Sequence, residues 1–438
     1  IQGVGSRQAL VMLDGFPIIA ARGIKSGTIN LDRQSTGKIE QVEVVQGAAS
    51  ALYGSDAIGG VVNLISREAT KPLQARFTIS GGNFGVLSQG VEVGMKKKSV
   101  SGFFTFNRDK QNEFDLTPST FDTTGAGFHR YDVFAKPKWE ISPKFYITGM
   151  ANIFMGHARG RSIGEPDPTQ NYASGKQYDN TRDITQNYGL SANWAPTVKT
   201  VIQARGYFSR YDEYSQTSFA NGQTFPDDNL FQRFGRVDAS ILQIWGERQI
   251  MQAGGEWSTD RYRGINRLSG TGGQRADTST FWGQDKISLA NWITVTVGAR
   301  YDKHSVFGSA VSPKIGLSIR ATDRLAVRAS WGRGFRAPDL GQLYYKFYNP
   351  TNFYQVFGNP NLRPEHSGSW QIGAEYASTK KNYRFGLNLF RNDVVNMIDP
   401  LTVGFVLPFA SPGTLSLSQA YAYISSIGLN PAEYPIRP

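Results

Sequence analysis

Residues 39–68 read IEQVEVVQGAASALYGSDAIGGVVNLISRE, and the rest of the chain is organised around them. The alternation from Ile39 to Val45 predicts a short strand running into Gly47. Ala48 to Tyr53 is small and compact enough for one or two helical turns, and Gly54 can end them in a left-handed conformation without a Cβ penalty. Gly59 and Gly60 then turn the chain into a second β-rich run, Val61 to Ile65, with Asn63 at its centre. So much Gly and Ala suits a piece that must fit a confined space. A phosphate cradle is excluded, because Ser55-Asp56 stands where a P-loop needs Lys-Ser or Lys-Thr, and an acidic side chain there repels phosphate.

This stretch, with Leu10-Val11-Met12-Leu13-Asp14-Gly15-Phe16-Pro17-Ile18 upstream, resembles the plug domain of TonB-dependent outer-membrane receptors. The residues that carry the resemblance are Asp14, Gly15, Gly47, Tyr53, Gly54, Gly59, Gly60 and Asn63. One departure is visible: the family commonly has Arg-Gly-Pro where this chain has Gln46-Gly47-Ala48. The resemblance implies a small α+β plug seated in the lumen of a transmembrane antiparallel β-barrel. Residues 1–70 are then the C-terminal part of the plug, and 74–438 the N-terminal part of the barrel, with Lys71-Pro72 as linker.

Composition allows this reading and removes others. The 438 residues suffice for one small and one large unit, and the absence of cysteine excludes a disulfide framework, a zinc–thiolate centre and a thiol nucleophile. Mean hydropathy is −0.36 although aromatic residues reach 13%. No run of about eighteen apolar residues occurs, so a membrane helix is excluded, whereas a spanning barrel needs only alternate apolar residues. The net charge of +12 is spread along the chain, which points to solvated loops and away from a nucleic-acid stripe. A start at Ile1 without Met and a Pro-rich end at Pro438 read as a fragment.

From Gln74 onward the pattern is period-two. Ile293, Val295, Val297, Ala299 and Tyr301 oppose Thr294, Thr296, Gly298, Arg300 and Asp302. Leu325, Val327, Ala329 and Trp331 oppose Ala326, Arg328, Ser330 and Gly332, and Tyr188, Leu190, Ala192 and Trp194 behave alike, as do Phe385, Leu387 and Leu389. About fifteen strands of roughly 8–12 residues are expected, the length a tilted membrane strand needs. Connections alternate between short ones, such as 141–144 and 321–324, and long ones near 109–129, 155–184, 211–232, 261–276 and 333–367. Tight turns at one end and large loops at the other mark an outer-membrane barrel, and a soluble sandwich has no reason for that parity.

Trp139, Phe145, Trp194, Trp292, Trp331 and Tyr376 fit interfacial girdles. The apolar face is expected to meet outer-membrane lipid, and the polar face, with Arg205, Asp238, Arg300, Arg320, Arg328 and Glu375, to line the lumen. Plugged transporters have about 22 strands, so about seven and the closing strand are expected beyond this sequence. The start of the plug, with the box that binds the inner-membrane partner, is expected to precede it. Ser416 to Ile427 has helical character.

No catalytic constellation and no metal site is expected. His129, His157, His304 and His366 are far apart in sequence, with no His-Glu-x-x-His, and no Gly-x-Ser-x-Gly elbow occurs. Gly332-Arg333-Gly334-Phe335-Arg336-Ala337 matches a dinucleotide fingerprint formally, but Pro338 follows and no βαβ unit surrounds it. The same segment resembles a barrel signature of the receptor family: Phe335, Arg336, Ala337 and Pro338, paired with Asn359, Pro360, Asn361 and Leu362 across a large outer loop. Haem-uptake members carry a histidine between the two boxes, and residues 339–358 have none.

That loop holds Tyr344, Tyr345, Phe347, Tyr348, Phe353, Tyr354 and Phe357 with Lys346. Such rings beside a cation suit an aromatic, anionic ferric chelate through stacking and cation–π attraction, or else pack the loop itself. With Arg336, and with Arg22, Lys25 and Tyr53 at the plug apices, Tyr344, Tyr345, Tyr348 and Tyr354 are the candidate ligand contacts. The resemblance implies a receptor, not an enzyme, with no cofactor, that imports a scarce ligand, most simply a ferric siderophore. Its implied partners are the TonB–ExbB–ExbD energy-transducing complex, the small-molecule ligand and outer-membrane lipid, with no nucleic acid. Haem, cobalamin or glycan uptake, or a passive channel, are the alternatives.

Overall fold

The computed structural model describes residues 8–18, 33–47, 50–55, 57–163, 176–220, 222, 224, 229–264, 268, 273–349, 354–378, 383–399 and 417–426. They form a small sheet held against the inner face of a large one.

The small sheet has four strands, β1 (Ala9–Leu13), β2 (Phe16–Pro17), β3 (Ile39–Gln46) and β4 (Gly60–Ser66), in the order β2-β1-β4-β3. Strands β1 and β4 run parallel, while β2 pairs antiparallel with β1 and β3 antiparallel with β4. A two-residue turn joins β1 to β2, with φ of 50° at Asp14 and 78° at Gly15. Two successive positive φ values are what a tight hairpin with the strand twist requires, and Asp-Gly supplies them. Asp14 also accepts hydrogen bonds from the Ser66 amide (2.9 Å) and hydroxyl (2.5 Å), while the Gly15 amide donates to Asn63 (3.0 Å). A single helical turn, α1 (Ser50–Tyr53), lies between β3 and β4.

Because side chains alternate across a strand, the small sheet buries two different faces. Leu10, Met12 and Val61 pack with Ala57 under Tyr53. Val11, Leu13, Phe16, Ile18 and Leu64 pack against Phe103, Phe134, Met150, Tyr207 and Phe234 of the large sheet. Phe16 stacks on Tyr207 with ring centroids 5.1 Å apart. It lies over Gly189, where a Cβ would come within 2.7 Å of the ring.

The large sheet has 15 antiparallel strands in sequential order, from Leu73–Gly81 to Arg384–Val395. It stays open, since neither terminal strand has a second neighbour among the described residues. The strand number agrees with the periodicity, but the lengths do not. Phe145–Ile163, Lys176–Thr197 and Thr200–Phe219 have 19, 22 and 20 residues, and pairing continues to Lys176↔Ile163. Much of the expected long loops at 155–184 and 211–232 is therefore strand. The apolar alternation fades there because both faces carry polar side chains, although the backbone ladder continues.

Alternation assigns the faces as expected. Val297 and Leu387 point outward, 40% and 65% exposed, whereas Arg300 and Asp302 point inward, 4% and 2% exposed. Trp139, Trp194 and Trp292 are exposed near the short-turn ends. Among the described residues no helix is long and apolar enough to cross a membrane. The helical character near the end of the chain corresponds to a helix over Leu417–Ser426.

Candidate ligand-binding site and plug seat

The inward face would bury many charges in isolation. The small sheet supplies their partners. Lys38, fully buried, places its ammonium 2.9 Å from Asp132, which also accepts from Asn152 (3.0 Å). Burial holds the Lys38 ammonium below the ordinary lysine range, with Asp132 opposing the shift. Lys136 lies 3.4 Å from Asp14, Arg67 lies 2.9 Å from Glu92, and Arg33 lies 2.9 Å from Asp183. Arg33 also donates to the Tyr211 hydroxyl (3.1 Å).

The turn of α1 is keyed most closely. Arg300 bonds Asp302 at 2.9 Å, donates to Thr280 (3.1 Å) and reaches the Leu52 carbonyl (3.4 Å). Gly54, at φ +84°, lies against this guanidinium, where a Cβ would come within 2.6 Å. Glycine is required there twice over, by backbone conformation and by the arginine.

The two barrel signatures meet in space. Phe335 and Arg336 end the strand Leu325–Arg336, and Glu365 opens the strand that pairs with it, with Arg336 opposite Glu365. Their side chains form an ion pair at 3.1 Å, at 1% and 0% exposure. Arg336 also donates to Gln342 (3.0 Å). Ala337 donates its amide to Ser55 (3.1 Å). Pro338 leads to Asp339, which caps α2 (Leu340–Tyr344) in a capping box with Gln342.

Asn359 donates its amide to the Gln342 carbonyl (2.9 Å), and its side chain accepts from the Asn361 amide (2.9 Å). Pro360 and Asn361 form the turn, and the Leu362 amide returns to the Asn359 carbonyl. The loop is thus closed at its base by one buried clasp. Glu365 further accepts from the Ile398 amide (2.8 Å) and from Gln8 (3.4 Å), so the clasp touches the plug as well.

The candidate ligand contacts divide. Arg336 is committed to Glu365 and Gln342 and presents no free face; it holds the loop. Tyr345 is 5% exposed and takes the packing role. Tyr344 and Leu362 flank a cluster of Tyr211, Leu230, Tyr262, Leu340 and Leu343. Tyr348 and Tyr354 fall on a hairpin, Lys346–Asn349 with Tyr354–Phe357, and their side chains lie outside the described set. Arg22, Lys25 and Phe353 also lie outside the described residues. Tyr53 packs beside Leu10 and Met12, and burial raises its phenol above the ordinary range. No group of three or more His, Asp or Glu able to hold a metal occurs among the described residues.

Sequence reasoning missed Lys38, Asp132 and Arg33, and the pairing of Glu365. Their partners are up to 357 residues away, and no local pattern marks a pair at that distance.

The plug-domain family model for TonB-dependent receptors matches residues 1–61, and the TonB-dependent receptor-like β-barrel model matches 105–425. The ferric enterobactin receptor PirA of Pseudomonas aeruginosa is 25% identical, covering 92% of this chain. The vitamin B12 transporter BtuB of Vibrio vulnificus is 26% identical over 91% of it. The chain spans 62% and 61% of these relatives' lengths. The crystal structure of the siderophore receptor PirA from Acinetobacter baumannii superposes with a TM-score of 0.71 at 18% identity, covering 90% of this chain and 64% of that one. With both family models matched in chain order and a plug-like sheet keyed to the inner wall of an antiparallel barrel sheet, the chain belongs to the TonB-dependent receptors of the Gram-negative outer membrane.

Proposed function

We propose that this chain is the plug and much of the barrel of a receptor that imports a ferric siderophore with energy from the TonB–ExbB–ExbD complex. Residues 1–70 act as plug and 74–438 as barrel. The observation that carries the reading is the plug seat. It combines a modest apolar patch with several separate ion pairs, Lys38–Asp132, Arg33–Asp183 and Arg67–Glu92 among them. Polar contacts can be exchanged for water one at a time, so such a plug is firmly placed yet displaceable by a pulling force. This reading requires no covalent chemistry.

A catecholate ligand is favoured by the tyrosine-rich excursion 340–357, in which Tyr344, Tyr348 and Tyr354 remain the candidate contacts with Arg22 and Lys25 of the plug. Ligand binding biases the plug toward the state that engages TonB only through differential contacts with the two states. The relatedness to vitamin B12 transporters makes cobalamin the second reading.

The test is growth and labelled uptake in an iron-starved strain carrying the full-length gene or lacking it. Defined ferric catecholates, ferric hydroxamates and cobalamin are supplied, with and without a protonophore. Gene-dependent, protonophore-sensitive uptake of a ferric catecholate is expected. Equal growth on every ferric chelate removes the siderophore reading, and uptake that survives the protonophore replaces it with a passive channel.

A further inference from the structure

On one side the plug rests on small residues. There α1 packs against the strands Ile293–His304, Gly308–Arg320 and Leu325–Arg336. Val311 and Ile315 of the middle strand are exposed on the outer face, 62% and 47%, so alternation turns Ser312, Lys314, Gly316, Ser318 and Arg320 inward. Lys314 lies between Gly298 and Gly332 of the flanking strands, and Gly316 between Thr296 and Ser330. Ser369 pairs with Gly332 on its far side. Ser50 of α1 rests on this wall at Gly334, where a Cβ would come within 2.6 Å of its hydroxyl.

Lys314 departs from the charge pattern of the plug seat. The buried cations there are paired, Lys38 with Asp132, Arg205 with Asp238, Arg300 with Asp302 and Arg336 with Glu365. Lys314 is half-buried and has no carboxylate within ion-pair distance among the described residues. Nor has Arg320 on the same inner face, six residues and about 20 Å nearer the short-turn end.

The hydroxyls beside Lys314 are unpartnered too. Ser312 and Ser369, 0% and 5% exposed, have no hydrogen-bond partner among the described residues. Ser312 is the next inward residue on the same strand. Ser369 stands two strands away, about 10 Å across the bare backbone of Gly332. Arg300 pairs with Ser312 and holds α1 over this place through the Leu52 carbonyl.

A cation left unpaired beside free hydroxyls attracts an anion, which a permanent carboxylate would prevent. An ammonium is a point charge without the two-pronged grip of a guanidinium, so it attracts without locking. A conduction path needs such sites, favourable enough to enter and weak enough to leave.

We propose that Lys314, with the Ser312 and Ser369 hydroxyls, is a transient station on the inner wall for an anionic, oxygen-rich ligand moving toward the periplasm. It rests on the uptake reading above and adds the route: the ligand passes between the displaced α1 and this wall. Breaking the Arg300–Leu52 contact uncovers the station.

The experiment uses the full-length receptor in outer membranes. Ser330→Cys places a thiol on the neighbouring strand one inward step from Lys314, and the sequence has no other cysteine. Labelling is timed with an anionic and a cationic thiosulfonate of similar size. The anionic reagent is expected to react faster, and S330C/K314Q to lower the ratio of the two rates about ten-fold, the lower end of what a charged cleft gives. In cells, Lys314→Gln is expected to import a labelled ferric catecholate about ten-fold more slowly, with the Kd for surface binding under a protonophore unchanged. Lys314→Arg is expected to restore most of the import, and Lys303→Gln, exposed on the outer face, to import as the wild type does. Equal rates for the two reagents in Ser330→Cys overturn the proposal and leave Lys314 an ordinary solvated lysine, and this arm stands even if Lys314→Gln fails to fold. Wild-type import by Lys314→Gln overturns it as well. If the wild type imports no ferric catecholate, the uptake reading fails by itself, and the labelling ratio still decides the station.

Discussion

The two faces of one barrel strand meet opposite fates. On Ile293–His304, Arg300 and Asp302 are almost wholly enclosed, while Val297 and Tyr301 are about 40% exposed. A water-soluble protein does the reverse. The inversion teaches that here the solvent of the outer face is lipid and the inner solvent is the plug. On the inner face buried charges meet opposite charges, as at Lys38–Asp132, Arg33–Asp183 and Arg205–Asp238, whereas the outer face of the membrane band is left to apolar side chains.

Four substitutions in the full-length receptor sharpen or break that contrast. The largest effect is expected inside. Glu365→Ala strands the Arg336 guanidinium at 1% exposure, and losing one partner of a buried pair costs about 3–5 kcal/mol. Denaturant unfolding in detergent measures it, and R336M/E365L together are expected to recover most of the loss. A Glu365→Ala shift no greater than that of the double variant breaks the claim that the clasp is dry.

Next comes the outer face. Val237 is 54% exposed and outward, so Val237→Arg in a lipid-facing band costs about 2–4 kcal/mol in refolding into vesicles. On a wetted surface the same change stays within about 0.5 kcal/mol, and that small value would sink the lipid assignment.

Gly54→Val forces a branched residue to φ +84° against Arg300, a strain of about 1–3 kcal/mol. It is expected to loosen the plug, read as faster proteolysis of residues 50–60. Gly206→Ala, with open space at its Cβ, is expected to leave that rate unchanged.

The smallest effect is at Asp14→Asn. It keeps the bond from the Ser66 amide but weakens the 3.4 Å contact with Lys136, about 1 kcal/mol in thermal unfolding. A loss as large as that of Glu365→Ala would mean the Asp14 site is a second clasp.

Much of the fold was legible in the chain. The Asp14-Gly15 hairpin follows from two residues that tolerate positive φ. Strand number and facing follow from alternation, as at Leu387 and Arg300. The outer extensions were not legible, since Arg182 and Asn180 continue a ladder after the apolar rhythm has stopped. The candidate site was legible only in part. The paired signatures at 335–338 and 359–362 stood out locally, but nothing local showed that Arg336, a candidate ligand contact, lies buried against Glu365.

The sequence by itself determined which residues alternate, where the backbone must turn and which segments are compact enough to enter a lumen. These are local properties, set by dihedral preference and by a period of two. Only the tertiary structure decided which polar side chains find each other: Lys38 with Asp132, 94 positions on, and Gln8 with Glu365, 357 positions on. A side chain's free energy depends on what lies within a few ångströms of it. Folding brings distant residues that close, and nothing in their sequence neighbourhood records it.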